Sequence, residues 1–237
     1  MKVIGILGSP HKNGGTAQLL ISALKGAERE GAKTELLSLY DGEVKPCLGC
    51  VQDEEPTCKF PCIFEDYGKV ILEKIYEADG IVLATPVYWF APSGPMKNLI
   101  DRMTALENMV VFGEPSYLEG KVVGAIAVGA DDGGAFATGY LITVLTSMGA
   151  IIPPWGIAYS HKGDKAIFDD KGLMDAINIG LLIARMIKRL KGEAVDLTYQ
   201  YEPKLRDAIR QEVISELGLI QDVSKLHPKK VLMLDKS

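Results

Sequence analysis

A chain of 237 residues, 47% hydrophobic and 24% charged, carries enough apolar side chains for one sizeable core and an ordinary charge load. Its formal charge of −5 argues against nucleic acid as a partner. No apolar run reaches the roughly 18 residues of a membrane-spanning helix, and no charged-then-apolar leader precedes the first strand, so a cytoplasmic protein with no membrane partner is expected.

The stretch from Lys2 to Thr16 organises the rest of the chain. Its first half is apolar and rich in β-branched residues, as in a strand buried on both faces. Its second half is Gly, Ser, Pro, Asn and Thr, which break regular structure. From Ala17 onward, Leu19, Leu20, Ala23, Leu24 and Ala27 recur at helical spacing. Strand, tight loop and helix in that order leave unpaired amides and partial positive charge at the loop, which suits a phosphate. Gly14 and Gly15 are expected to let backbone approach a ligand, with Ser9 and Thr16 as hydroxyl donors and His11 as a further anion contact. The loop has neither the Gly-Lys-Ser/Thr ending of a Walker loop nor a clean G-x-G-x-x-G, so triphosphate hydrolysis and a standard dinucleotide site are not favoured.

Lys33 to Leu39 reads as a second strand. Asp41 to Asp66 is a long insert without clear period, holding all four cysteines together with Gly42, Pro46, Gly49, Pro56 and Pro61. A loop that long in a compact domain usually has a function or its own tie. Tyr67 to Ala78 is a helix with Asp66 as N-cap. Gly80 to Thr85 is a third strand that runs into Pro86-Val87-Tyr88-Trp89-Phe90, and Pro95 opens a helix to about Leu106. Lys121 to Val128 is a fourth strand, ending in Gly129-Ala130-Asp131-Asp132-Gly133-Gly134, with a helix to about Met148 behind it. Ala150 to Ile152 is expected as the fifth strand, closed by Pro153 and Pro154, and Leu173 to Leu190 as the last core helix.

Strands alternating with helices imply an α/β fold, a doubly wound parallel sheet with helices on both faces. In such sheets ligands sit beyond the carboxyl ends of the strands. The loops starting at Gly8, Thr85 and Gly129 would share that edge. The first would hold a phosphate, the second offers flat apolar surface and main-chain N–H groups, and the third offers glycine backbone. A phosphate at one end and a planar ring at the other describes flavin mononucleotide, FMN.

The run Gly8-Ser9-Pro10-His11-Lys12-Asn13-Gly14-Gly15-Thr16 resembles the phosphate loop of the NAD(P)H-dependent FMN reductase family. Thr85-Pro86-Val87-Tyr88-Trp89 and Gly94-Pro95-Met96-Lys97-Asn98-Leu99-Ile100-Asp101-Arg102 match that family's second signature. Pro46-Cys47-Leu48-Gly49-Cys50 and Cys62-Ile63-Phe64-Glu65-Asp66 resemble its iron–sulfur flavoprotein branch. The resemblance covers about residues 1–190 and implies a five-stranded flavodoxin-like fold, bound FMN and a homodimer or homotetramer. It also implies that Ser9, Lys12, Asn13, Gly15 and Thr16 contact the phosphate and that Pro86, Val87, Tyr88 and Trp89 line the flavin ring. Gly15 stands where the family's loop usually has Asn. Phe90, Asp131, Asp132, Gly133 and Gly134 complete the candidate cofactor contacts.

The cysteines follow the spacing Cys47-x2-Cys50-x7-Cys58-x3-Cys62. Four thiolates on a short Gly- and Pro-rich loop suit a [4Fe–4S] cluster. Tetrahedral zinc would also accept four thiolates, and disulfides, free thiols or another structural role are the remaining alternatives. The branch's compact motif sets its third cysteine close behind the second, whereas seven residues intervene here.

The chain is expected to be an oxidoreductase in which FMN carries the electron chemistry. With a cluster it would join a two-electron donor such as NAD(P)H to a one-electron partner such as a ferredoxin. The rival readings are a cluster-free quinone or azo-compound reductase and a non-enzymatic flavodoxin-like carrier. Residues 1–195 are read as the FMN domain, with the insert at 41–66. Residues 196–237 are read as an extension whose apolar stripe (Leu205, Ile209, Val213, Ile214, Leu217), with Val231 to Leu234, either folds back onto its own domain or, the favoured expectation, contacts a second subunit. Asp101-Arg102 reads as an intrahelical or interface pair, and His161 and His227 show no partner in the sequence.

Overall fold

The computed structural model describes residues 1–52 and 57–219. Its frame is β1 (Lys2–Leu7), β2 (Lys33–Ser38), β3 (Gly80–Pro86), β4 (Val122–Val128) and β5 (Ile157–Ser160), parallel throughout in the order β2-β1-β3-β4-β5. Every residue of β3 and β4 is buried, because helices cover both faces of the sheet. The chain moves from β1 outward to β2 and returns to the other side of β1, so strand order reverses between β1 and β3. The loops after these two strands diverge there and open a crevice.

One face of the sheet is covered by α1 (Gly15–Arg29) and α6 (Asp170–Leu190), with α7 (Pro203–Glu216) packed against both. The other is covered by α2 (Tyr67–Glu77), α3 (Gly94–Arg102), α4 (Thr104–Glu107) and α5 (Gly134–Ser147). Among the described residues no helix is long and apolar enough to cross a membrane. The doubly wound, flavodoxin-like arrangement matches the sequence expectation.

Three details differ from it. The fifth strand is Ile157–Ser160, paired with Ala125 to Val128, while Ile151 makes only an isolated bridge to Val122. Pro153 and Pro154 end that first approach, because neither can donate to a ladder. The chain rejoins the sheet edge at Ile157, alternating exposed and buried residues. The helix expected over 95–106 is broken at Met103, whose amide is shared between the carbonyls of Leu99 and Ile100. Finally, the stripe of α7 is not left for a partner. Ile209, Val213 and Ile214 are buried against α1 and α6, with Leu205 and Leu217 partly buried beside them. Lys25 to Glu216 and Arg206 to Asp170 ion pairs, at 2.7 and 3.0 Å, hold the helix on its own domain. The apolar run Val231 to Leu234 and His227 lie outside the described residues.

Candidate functional site

The β1–α1 loop builds an anion cradle from a helix start with no side-chain cap. The Gly14 amide bonds the His11 carbonyl, and the His11 amide donates to Ser9 Oγ at 3.2 Å, which winds the loop around its own centre. Ser9 and Thr16 are buried, and the Thr16 hydroxyl has no protein partner among the described residues. Gln18 braces the loop from below, donating to the carbonyls of Asn13 and Asp164 at 3.0 Å. Both glycines are also required by packing: a Cβ on Gly15 would lie 2.0 Å from the Gly163 carbonyl oxygen, and one on Gly14 would lie 3.0 Å from His11. This explains why no Asn stands at position 15. Lys12 reaches outward to Asp41, and Asn13 donates to the Leu217 carbonyl at 3.4 Å, so both have protein partners.

The second loop is a tight hairpin. Tyr88 and Ala91 exchange both backbone bonds, at 3.0 and 3.1 Å, and leave Trp89 and Phe90 at the tip with φ of 50° and 65°. Two successive left-handed residues are the signature of the mirror-image two-residue turn, where Asn-Gly is usual. Bulky side chains there are costly and mark a site that surrounding structure over-determines. The bracing is visible: Ser93 Oγ donates to the Gly8 carbonyl at 2.7 Å, and the Ser93 amide donates to Thr85 Oγ1 at 2.9 Å. The outcome is an aromatic ledge on which Trp89 is 94% exposed, with Tyr88 and Phe90 about half exposed. The expected supply of main-chain donors is narrower than the sequence suggested. The amides of Val87, Tyr88, Ala91 and Ser93 are all bonded within the protein, which leaves those of Trp89 and Phe90.

The third loop closes against the second. A Cβ on Gly133, whose φ is 89°, would meet Val87 at 2.8 Å and Phe90 at 3.0 Å. Phe136 stands edge-on to Phe90 at 6.0 Å. Asp131 Oδ1 accepts the Asp132 amide at 2.8 Å, and His161 Nε2 accepts the Gly134 amide at 3.3 Å. His161 therefore has a partner, the first amide of α5, and it comes from the end of β5.

The cysteine insert packs beside α3. All four cysteines are free thiols and line one pocket with Leu48, Ile63, Phe64, Asp101, Arg102 and Ala105. Burial, and next the neighbouring Cys50, push the Cys58 thiol up to about 12. Four thiols gathered this way become a stable set of thiolates only around a compensating cation. Among the described residues no three His, Cys, Asp or Glu groups converge on a single ion. A mononuclear zinc needs all its sulfurs about 2.3 Å from one centre, whereas a cubane cluster takes one thiolate at each iron and spreads them wider. Four thiols lining one pocket supply one donor for each iron of such a cluster, and no disulfide joins them among the described residues.

Arg102 has a role that its sequence neighbours did not reveal. It does not pair with Asp101, which binds Lys97 one turn back at 2.6 Å. Instead its guanidinium is buried and faces the insert, gripping both oxygens of Asp66 at 2.9 and 3.0 Å and donating Nε–H to Cys62 Sγ at 3.2 Å. An arginine on the apolar side of α3, between Leu99 and Met103, was the signal available. Tyr40, partly exposed beside Tyr88, is the other neighbour of the ledge; burial and then Tyr88 raise its phenol.

The sequence matches the family model described as NADPH-dependent FMN reductase over residues 1–165. It is 37% identical over 207 residues to an iron–sulfur flavoprotein of Methanocaldococcus jannaschii, covering 81% of this chain and 100% of that one. It is 31% identical over 229 residues to an iron–sulfur flavoprotein of Archaeoglobus fulgidus, covering 95% and 94%. Among solved structures, RosB with bound 8-demethyl-8-formylriboflavin-5'-phosphate superposes with a TM-score of 0.66 over 96% of this chain and 92% of that one, at 18% identity, a likeness of fold. With an uncapped helix start, a braced aromatic ledge and a match across most of its length, this chain is an oxidoreductase belonging to the NADPH-dependent FMN reductase family.

Proposed function

We propose that the protein is an FMN-dependent oxidoreductase that moves electrons between NAD(P)H or a reduced ferredoxin-type carrier and an acceptor, with a [4Fe–4S] cluster on Cys47, Cys50, Cys58 and Cys62. The observation that carries this reading is α3. It begins at Gly94, directly behind the aromatic ledge, and its flank from Asn98 onward, continued by Ala105 of α4, bears the cysteine insert. At a rise of about 1.5 Å per residue, Arg102 lies only about 12 Å along the helix from Gly94.

When bound, FMN supplies two-electron exchange with a hydride donor and one-electron exchange with a carrier. The chain's own residues bind and orient it. Thr16, Ser9 and the open amides of α1 would hold the phosphate, with His11, Lys12, Asn13, Gly14 and Gly15 around it. Lys12 must leave Asp41 to reach it, which is easy for a side chain 65% exposed. Pro86, Val87, Tyr88, Trp89 and Phe90 would line one side of the ring, and Asp131, Asp132, Gly133 and Gly134 the other. No side chain is needed as general acid.

The exposed ledge favours a second reading, in which a planar quinone or azo compound stacks directly and the thiols hold no cluster. Protein purified without oxygen separates the two. A flavin spectrum with about four iron and four sulfide per flavin, and NAD(P)H oxidation coupled to a ferredoxin, is the expected result. Flavin without iron supports the second reading, and failure to retain or take up FMN overturns both. We further propose a homodimer or homotetramer. The support is α5, which is apolar inward yet leaves Phe136 72% exposed and Tyr140 partly so. Light scattering that reports a monomer at working concentration removes this part.

A further inference from the structure

We infer that Arg102 is a positioning residue that fixes Cys62 and sets the reduction potential of the cluster, an inference that rests on the cluster reading. Four of the five guanidinium N–H groups are spent on the cysteine insert. Nε donates to Cys62 Sγ at 3.2 Å, Nη1 to the Lys45 carbonyl at 3.2 Å and to Asp66 Oδ2 at 2.9 Å, and Nη2 to Asp66 Oδ1 at 3.0 Å. Its face lies 4.6 Å from the Phe64 ring centre. Lys45 stands two residues before Cys47, and Phe64 and Asp66 follow Cys62, so one side chain ties the entry of the insert to its exit. Asp66 completes the tie by accepting the Lys45 amide at 3.0 Å and capping α2 through the Lys69 amide at 3.1 Å.

A fold-holding ion pair needs only the fork to Asp66. The bond to sulfur is additional, and it falls on an atom proposed to be a ligand. Hydrogen bonds to ligand sulfurs and nearby charge are what proteins use to tune such clusters. One added electron makes the cluster more negative, and an N–H aimed at its sulfur is worth more in that state. No bond to Arg102 forms or breaks, and the guanidinium keeps all its protons. Asp66 neutralises most of the distant field of Arg102, so the local Nε–H bond dominates. Lysine cannot reproduce it, because an ammonium is a point donor without the planar fork.

The test is a redox titration of anaerobically reconstituted protein followed by electron paramagnetic resonance, with iron, sulfide and FMN measured on the same samples. Arg102→Lys is expected to keep FMN and to shift the reduced-to-oxidised ratio of the cluster about tenfold toward oxidised at fixed potential, about 59 mV for a one-electron couple. Should that variant fail to fold, the neutral pair Arg102→Gln with Asp66→Asn avoids a stranded buried charge and is expected to shift the same way. If the variants lose thermal stability or iron content but the loaded fraction titrates as wild type, Arg102 is structural only and the inference is overturned. Wild-type protein that assembles no iron and sulfide overturns the cluster reading itself, and this inference with it.

Discussion

Asp66 and Arg102 form a pair whose oxygens and nitrogens are almost wholly withdrawn from water, with side-chain exposures of 4% and 1%. Burial alone would raise the Asp66 carboxyl, but Arg102 and the amides of Lys45 and Lys69 outweigh it and hold it below its ordinary range. A carboxyl depressed in the folded state contributes stability that is fully present above the unfolded value, about 3.9, and is lost as pH falls through the folded value. Asp66→Asn strands the guanidinium and is expected to cost about 3–5 kcal/mol in urea unfolding at pH 7. The gap from wild type should narrow below about pH 3.9; a gap that stays constant with pH would remove the carboxylate as its source. Gly15 acts at the same scale. Gly15→Ala drives a Cβ into the Gly163 carbonyl, 2.0 Å away, so helix and turn must separate. A loss of about 1–3 kcal/mol is expected, with weaker FMN binding by equilibrium dialysis, because the cradle moves with the helix start. Unchanged FMN binding would show that the loop tolerates the shift.

At the scale of the element, the Tyr88–Ala91 hairpin holds two aromatic residues in a conformation that suits glycine. A side chain in left-handed backbone costs roughly 1–2 kcal/mol, and the indole of Trp89, open to solvent, recovers little of that by packing. Trp89→Gly is therefore expected to raise thermal stability by about 1 kcal/mol while weakening flavin retention, read by fluorescence titration. A variant that is less stable than wild type would mean that the indole packs on something within the assembly. The three loops at the sheet edge differ in what they leave free. The start of α1 carries no side-chain cap, whereas the start of α3 is capped by Ser93 and the first amide of α5 by His161. Among the described residues α1 is the one of the three whose first amides meet no side chain, which suits a ligand with its phosphate at one end.

For the whole molecule, α7 decides where the domain ends. Ile209 is fully buried in the core formed with α1 and α6. Ile209→Ala is expected to cost about 2–5 kcal/mol, and the cost should not change with protein concentration. A concentration-dependent loss in denaturation curves would instead assign the stripe to a subunit contact. The packing of α7 also carries Leu217 to the phosphate loop, where its carbonyl accepts from Asn13 at 3.4 Å, so the C-terminal helix buttresses the cradle.

The strand–loop–helix at the N-terminus, the parallel sheet and the edge on which the loops gather were legible in the sequence. Each follows from local pattern: β-branched apolar runs, helical spacing from Ala17 to Ala27, and breakers between them. The clustering of the four cysteines was legible for the same reason, since all lie within one loop. What the tertiary structure decided were contacts between residues far apart in the chain. Arg102 meets Cys62 and Asp66 across 40 and 36 positions, His161 caps α5 from 27 residues away, and Gly163 sets the identity of position 15. Periodicity reports which way a side chain faces along its own element. It carries no information about which backbone or charge will be packed against it, and that determined the wiring of both candidate sites.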